Sequence, residues 1–203
     1  SVGEHTIRTL MNVRADKVLR LTMLLHDVAK PVCITTDEEG QNHFKKHPAV
    51  GADMAKQILR RLKFDNKTID CCCRLVKEHD DRPQITQKNV RRAMSRIGAG
   101  LFPMLFEVKR ADMLGQSLYK RKEKMAYIDE FERVYNEILS DDQCVSKKDM
   151  KINGRDLIDL GMEPGQKLGE ILDKLYEMVL DDPELNDHEK LIEHANKIIS
   201  TLI

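Results

Sequence analysis

The sequence is cut into helix-length amphipathic pieces, most of them opened by a capping residue or a proline and closed by a glycine, a polar turn or a proline. That punctuation leaves little room for a sheet. Asp16 stands as an N-cap before KVLRLTMLLHDVAK, and Pro31 is the stop, so a helix is expected over 16–30. His47-Pro48 opens a helix to about Leu62, because proline is tolerated in the first helical turn. Asp65 or Asn66 caps the next, which runs through about His79, and Thr86 caps a short one ending near Gly98. A long helical region follows from about Leu101 to Leu139, bent or broken around Gly115–Ser117. Residues 2–13 read as the end of a helix, and 31–46 as a loop with a tight turn at Glu39-Gly40.

The remainder has a different texture. The segment SDDQCVSKKD (140–149) is polar and reads as a linker, and KINGRDLIDLG as a short helix ending at Gly161. A helix is expected from about Pro164 to Leu180, with Leu168, Ile171, Leu172, Leu175 and Val179 on one face. Asn186 and Glu189 offer a capping box for the last helix. The expectation is an all-α fold: a helical bundle over 1–140 and a small helical C-terminal extension over 141–203. No internal repeat or low-complexity run appears, and doubly wound and barrel folds are excluded.

Aromatics are only 4% of the chain and tryptophan is absent, so Leu, Ile, Val and Met must do the packing, which suits helices. The 34 basic and 34 acidic residues cancel, and any contact with RNA must come from local patches rather than from a bulk field. No stretch approaches the roughly 20 apolar residues that span a bilayer, and no signal-peptide pattern opens the chain. A soluble, cytoplasmic protein is expected. The five cysteines lack paired spacing, with Cys71, Cys72 and Cys73 consecutive in a helical pattern and Cys33 and Cys144 each alone. They read as reduced and inert rather than as a disulfide framework or zinc knot.

The histidines carry the chemistry. His26-Asp27 follows the apolar run Met23-Leu24-Leu25, so its turn is expected to be buried. A buried carboxylate without a partner is costly, and a divalent cation supplies one while accepting a neutral imidazole beside it. Taken alone, a His-Asp pair at a helix end reads first as two side chains bonding to backbone. The rest of the pattern tips the balance: His5 lies on the preceding helix, and Asp112 lies among Val108, Ala111, Met113 and Leu114. His47 and His79, at a helix start and a helix end, supply two further imidazoles. Mixed nitrogen and oxygen donors suit Zn, Mn, Fe, Co or Ni, and Mg less well.

The series His5, His26-Asp27, His47, His79, Asp112 resembles the HD superfamily of metal-dependent phosphohydrolases. More narrowly, LLHDVAKP, HFKKHPAVGADMAKQILRRLKF, RADMLGQ and INGRDLIDLGMEPGQKLGEIL are similar to the HD region of bacterial tRNA nucleotidyltransferases and poly(A) polymerases. The resemblance implies an HD-type bundle in which His5, His26, Asp27 and Asp112 hold a first metal. It gives His47 and His79 a second ion or a substrate phosphate. The activity it implies is a phosphodiesterase or phosphatase acting on nucleotides, or on RNA 2′,3′-cyclic or 2′-phosphate ends, with Asp27 sharing a water proton and Lys30 neutralising phosphate. Lys30 has a second reading, as a cation favoured at a helix C-terminus.

The alternative function is the RNA-binding body of a tRNA nucleotidyltransferase with a non-catalytic metal site. The Gly-rich turn and paired acidic ligands of the catalytic head are missing here, so nucleotide addition is not expected of these residues alone. The chain reads as a piece of a longer enzyme or as a protein reduced to these parts. Three basic patches are candidate tRNA contacts: Arg60-Arg61-Lys63, Arg91-Arg92-Arg96 and Lys120-Arg121-Lys122-Lys124. Each taken alone reads first as a solvated helix face. His43 either lines the pocket or is solvated, and His188 and His194 read as surface residues.

Overall fold

A computed structural model describes residues 1–201. Ten α-helices account for almost all the regular structure among them, with one two-stranded ribbon. The chain divides into two compact units, 1–83 with 100–132, and 84–99 with 133–203.

The first unit holds α1 (Val2–Met11), α2 (Lys17–Leu25), α3 (His47–Arg61), α4 (Asn66–Glu78), α6 (Phe102–Gly115) and the first part of α7 (Arg121–Ser140). Asp16 caps α2 by accepting from the Leu19 amide, and Asp65 caps α4 by accepting from the Thr68 amide. Packing is pairwise, α3 on α4, α2 on α4 and α1 on α6. Leu25, Ala52, Ala55, Leu59, Ile69, Cys72 and Val76 form one core. Three of the five phenylalanines are pooled: Phe102, Phe106 and Phe131 meet edge to face at 5.4–5.6 Å. The loop 31–46 carries β1 (Thr35–Thr36) and β2 (Asn42–His43), antiparallel, around Gly40 at φ 79°.

Helix α2 stops earlier than expected. The sequence predicts a helix to Lys30, but regular α-helix ends at Leu25, and a 3-10 turn occupies Lys30–Val32. Val28, Lys30 and Val32 donate to the carbonyls three residues back, of Leu25, Asp27 and Ala29. Pro31 has no amide hydrogen and disfavours α geometry at the residue before it, so the chain tightens ahead of it.

The second unit holds α5 (Gln87–Ile97), the last part of α7, α8 (Gly154–Asp159), α9 (Gln166–Asp181) and α10 (His188–Ser200). Ile171, Leu175 and Val179 of α9 are buried with Leu157, Leu191 and Ala195, and α5 also packs on α9. Two expectations need revision here. The polar stretch 140–149 is packed rather than spanning open solvent: Cys144 and Val145 are buried, and Ser146 and Asp149 form a capping box on a 3-10 turn. Helix α10 is capped by Asp187, which accepts from Glu189 and Lys190 amides, and not by Asn186. Asn186 is used elsewhere, accepting from the Lys151 amide and donating to the Asp149 carbonyl.

Candidate metal centre

The structure brings His5, His26, Asp27, His47, His79 and Asp112 to one place in the first unit. Five of these six residues are buried, and the His5 side chain keeps 16% of its exposure. Their ligand atoms fall into two overlapping sets, His5, His26 and Asp27, and Asp27, His47 and His79; within each set they lie inside 4.8 Å of one another. Asp27 is the shared member. Its Oδ2 is 3.6 Å from His5 Nε2 and 3.4 Å from His26 Nε2, while Oδ1 is 3.4 Å from His47 Nε2 and 3.7 Å from His79 Nε2. Asp112 Oδ1 is 2.9 Å from His5 Nε2 and 3.5 Å from His26 Nε2.

Local backbone geometry decides the state of three imidazoles. His26 Nδ1 lies 2.8 Å from the Met23 carbonyl, His47 Nδ1 2.8 Å from Phe44, and His79 Nδ1 2.7 Å from Val76. A carbonyl only accepts, so each Nδ1 carries a proton and each Nε2 faces inward, offering a lone pair wherever the ring is neutral. The spacing is three residues each time, because helix and turn ends leave those carbonyls available. His5 Nε2 is then 3.2 Å from His26 Nε2, and His47 Nε2 is 3.3 Å from His79 Nε2. For His47 and His79, whose Nδ1 protons are both committed to carbonyls, two lone pairs at that separation repel unless a proton or a cation sits between or beside them.

The electrostatics agree. Burial alone would depress the His26 imidazolium, but hydrogen bonding and charge from Asp112 and Asp27 outweigh it and lift its pKa to about 9. Burial pushes His79 the other way, reinforced by the charge on His26. For Asp27, burial would raise the pKa, yet His26, His47 and Lys30 hold it well below the usual carboxylate range. Asp112 is likewise held low, against burial, by His26 and His5. The cluster is built around positive charge. Asp27 Oδ1 is fully buried and makes no hydrogen bond to the protein, so it is free to ligate a cation. The donor set of imidazole nitrogens and carboxylate oxygens fits a divalent transition metal.

Further residues, which the sequence reading passed over, hold the donors in place. Gln116, one turn after Asp112, donates to Asp112 Oδ2 at 2.8 Å and accepts from Lys124 Nζ at 2.8 Å. Lys109 is buried, and its ammonium donates to the carbonyls of Glu78, His79 and Asp81 at 3.2, 3.0 and 2.6 Å. Burial pushes its pKa down to about 8. It closes the C-terminus of α4 where His79 emerges. The centre opens onto a cavity of about 400 Å³ lined in part by Lys30, His43, Phe44, His47 and His79. His43 pairs with Asp37 at 2.7 Å, and Lys30 Nζ lies 2.6 Å from Asp27 Oδ2. His188 and His194 lie on α10 in the second unit.

The expected basic patches fare unequally. Arg60 and Arg61 are exposed at the end of α3. The second patch is corrected: Arg91 is buried, donating to the Leu180 and Asp181 carbonyls and to Gln143 Oε1. Arg92 is paired with Glu177 and Asp181, and only Arg96 of the three is exposed. Consecutive helical residues diverge by about 100°, so the run could not face solvent as a block.

Comparison with known proteins places the chain. A family model described as tRNA nucleotidyltransferase domain 2, putative, matches residues 47–195. An A-adding tRNA nucleotidyltransferase of Deinococcus radiodurans is 32% identical over 181 residues, covering 86% of this chain and 41% of that protein. A CC-adding tRNA nucleotidyltransferase of Thermus thermophilus is 29% identical over 180 residues, covering 86% and 40%. A CCA-adding enzyme of Ligilactobacillus salivarius is 47% identical over 55 residues, 27% of this chain and 14% of that enzyme. The chain thus spans about two fifths of the length of the first two relatives. No solved structure matches it. These matches overturn the expectation of an HD-type phosphohydrolase, since the relatives are named as transferases and the matched domain is one of theirs. The hydrolytic roles expected of Asp27 and Lys30 lose their basis with it. The chain belongs to the tRNA nucleotidyltransferase family, with residues 47–195 matching the model of that family's domain 2.

Proposed function

We propose that this chain is the RNA-holding body of a tRNA nucleotidyltransferase and that its buried His/Asp cluster is a divalent-metal centre with a structural role. The observation that carries the first part is the 32% identity over 86% of the chain with an A-adding enzyme of which it spans 41%. Nucleotide addition needs Mg held by oxygen ligands and a pocket for the nucleotide. The only strands among the described residues carry Thr35-Thr36 and Asn42-His43, with no carboxylate on either. The relatives are named for adding nucleotides to tRNA, and that name is what supports an RNA-holding role for this chain.

The metal half is supported by the unpartnered Asp27 Oδ1 and the inward Nε2 lone pairs. His5, His26, Asp27 and Asp112 would hold one ion, and Asp27, His47 and His79 a second. Mn, Fe, Co, Ni or Zn suits these donors better than Mg does. The donors come from α1, from the ends of α2 and α4, from the start of α3 and from α6. An ion there binds only the folded unit, and at a hundredfold excess over its Kd it adds about 2.7 kcal/mol of stability.

The test uses the full chain with labelled tRNA. Fluorescence anisotropy should show binding that weakens steeply with salt. A chelator should lower the melting temperature, while tRNA affinity measured well below the melt stays within about twofold. No tRNA binding at low salt would remove the body reading. Loss of tRNA affinity on chelation with the fold intact would show that the ion touches RNA rather than structure.

A further inference from the structure

The connection between α6 and α7 shows two large side chains to solvent where nothing in the fold requires them. Leu118 is 76% exposed and Tyr119 71% exposed. The segment is anchored: the Arg121 guanidinium donates to the carbonyls of Leu114 and Gln116 at 3.2 and 3.1 Å. Lys124 Nζ holds the Gln116 side chain. Lys120 sits at φ 51°, in the left-handed region that disfavours a residue with a Cβ. An aromatic ring is thus presented outward at the tip of a fixed, locally strained turn.

Its surroundings are basic. Residues 120–124 read KRKEK, in which Glu123 is the one carboxylate among four cations. Lys120 Nζ lies 5.5 Å from the Tyr119 ring centroid, and Lys122 is exposed on the first turn of α7. Lys120 and Lys124 also form one wall of a cavity of about 270 Å³, whose other sides include Arg82, Met113, Tyr127 and Ile128. An exposed ring beside closely spaced cations is the arrangement that receives unpaired bases on its π-face and phosphates on its ammonium groups. A duplex hides its base faces and would find only the charge.

Resting on the RNA-holding reading above, we propose that Tyr119, Lys120 and Lys122 form a contact for an unpaired stretch of RNA. Tyr119 stacks on a base, and the two lysines neutralise phosphates on either side of it. Arg121 and Lys124 act by holding the turn.

The experiment compares a labelled oligoadenylate with a blunt RNA duplex of equal length, both bound to the full chain. The wild type should prefer the single strand. Tyr119→Ala should weaken that binding about tenfold, and Tyr119→Trp should retain it. Lys120→Gln with Lys122→Gln should reduce the slope of log affinity against log salt by about 1.4. All three positions are exposed, and circular dichroism checks that the variants stay folded. If the wild type binds RNA but Tyr119→Ala binds oligoadenylate equally well, this surface is wrong and the body reading stands. Equal affinity for the duplex also overturns it. A wild type that binds neither RNA removes both proposals, and an acidic protein becomes the partner to seek.

Discussion

His5 Nε2 lies 2.9 Å from Asp112 Oδ1, across 107 residues of sequence. That contact joins α1 to α6, and it depends on how closely the two helices approach. Gly115 ends α6, and a Cβ placed there would stand 2.4 Å from Thr9 Cγ2 and 3.2 Å from two atoms of the His5 ring. Thr9 is itself buried. The absence of a side chain at position 115 is what lets His5 reach the cluster.

Gly115→Ala should therefore destabilise the protein, although alanine is the better helix former by about 1 kcal/mol. The overlap with Thr9 is an overpacked contact of the kind that costs about 1–3 kcal/mol. Metal binding should weaken with it, because α1 must shift and carry His5 outward. Thermal melts and a Mn titration of this variant check both effects. A raised melting temperature would show that α1 yields freely and that its position is not set here.

Arg91→Met should cost about 2–4 kcal/mol of stability. It leaves the Leu180 and Asp181 carbonyls without the guanidinium that now satisfies them, inside the second unit. Arg92→Gln removes only ion pairs that are largely exposed and should cost less than about 1 kcal/mol. Urea melts of the two variants, side by side, test the assignment. Equal losses would mean that Arg91 is not the internal cap described here.

What was legible in the sequence was local. Asp16 and Thr86 cap the helices they are expected to cap, and of Asp65 and Asn66 it is Asp65 that caps α4, because an N-cap is decided by residues two or three positions away. The helix break around Gly115–Ser117 was readable for the same reason. Long-range relations were not. Nothing in VKRADM says that Lys109 is buried, since a lysine there reads as solvated until α4 is seen to end against it. Arg91 looked like part of a basic face because its acceptors are 52 to 90 residues away. The type and order of the histidines and aspartates suggested one site, but residue types common to many enzymes could not separate a hydrolase from a body domain.

Acid should expose the Asp65 cap. Thr68, through its hydroxyl and amide, and Lys17 hold this carboxyl well below its ordinary value of 3.8. A carboxyl whose folded pKa is depressed contributes stability that is complete above the unfolded value and is lost as pH falls through and below it. The wild type should therefore lose melting temperature more steeply than Asp65→Asn between about pH 5 and pH 2.5. Asparagine keeps a capping oxygen but has no charge to lose. Parallel pH profiles would show that Lys17 and Thr68 do not favour the ionised form in solution.

The two carboxylate oxygens of Asp27 face different partners, and that division can be counted. Oδ2 is directed at His5 and His26, and Oδ1 at His47 and His79. If both sets bind, equilibrium dialysis with Mn or Zn followed by elemental analysis should find about two ions per chain, as the two donor sets allow. His47→Ala should then leave the ion held by His5, His26, Asp27 and Asp112, and His5→Ala should preferentially lose that one. Asp27→Ala should remove both, since no neighbour can supply a charged oxygen in two directions. Each loss should bring a matching loss of the metal-dependent rise in melting temperature. Full metal content in Asp27→Ala would overturn the ligand assignment. A single ion lost equally in His5→Ala and His47→Ala would mean that all six side chains serve one site, with Asp27 turning only one oxygen to it.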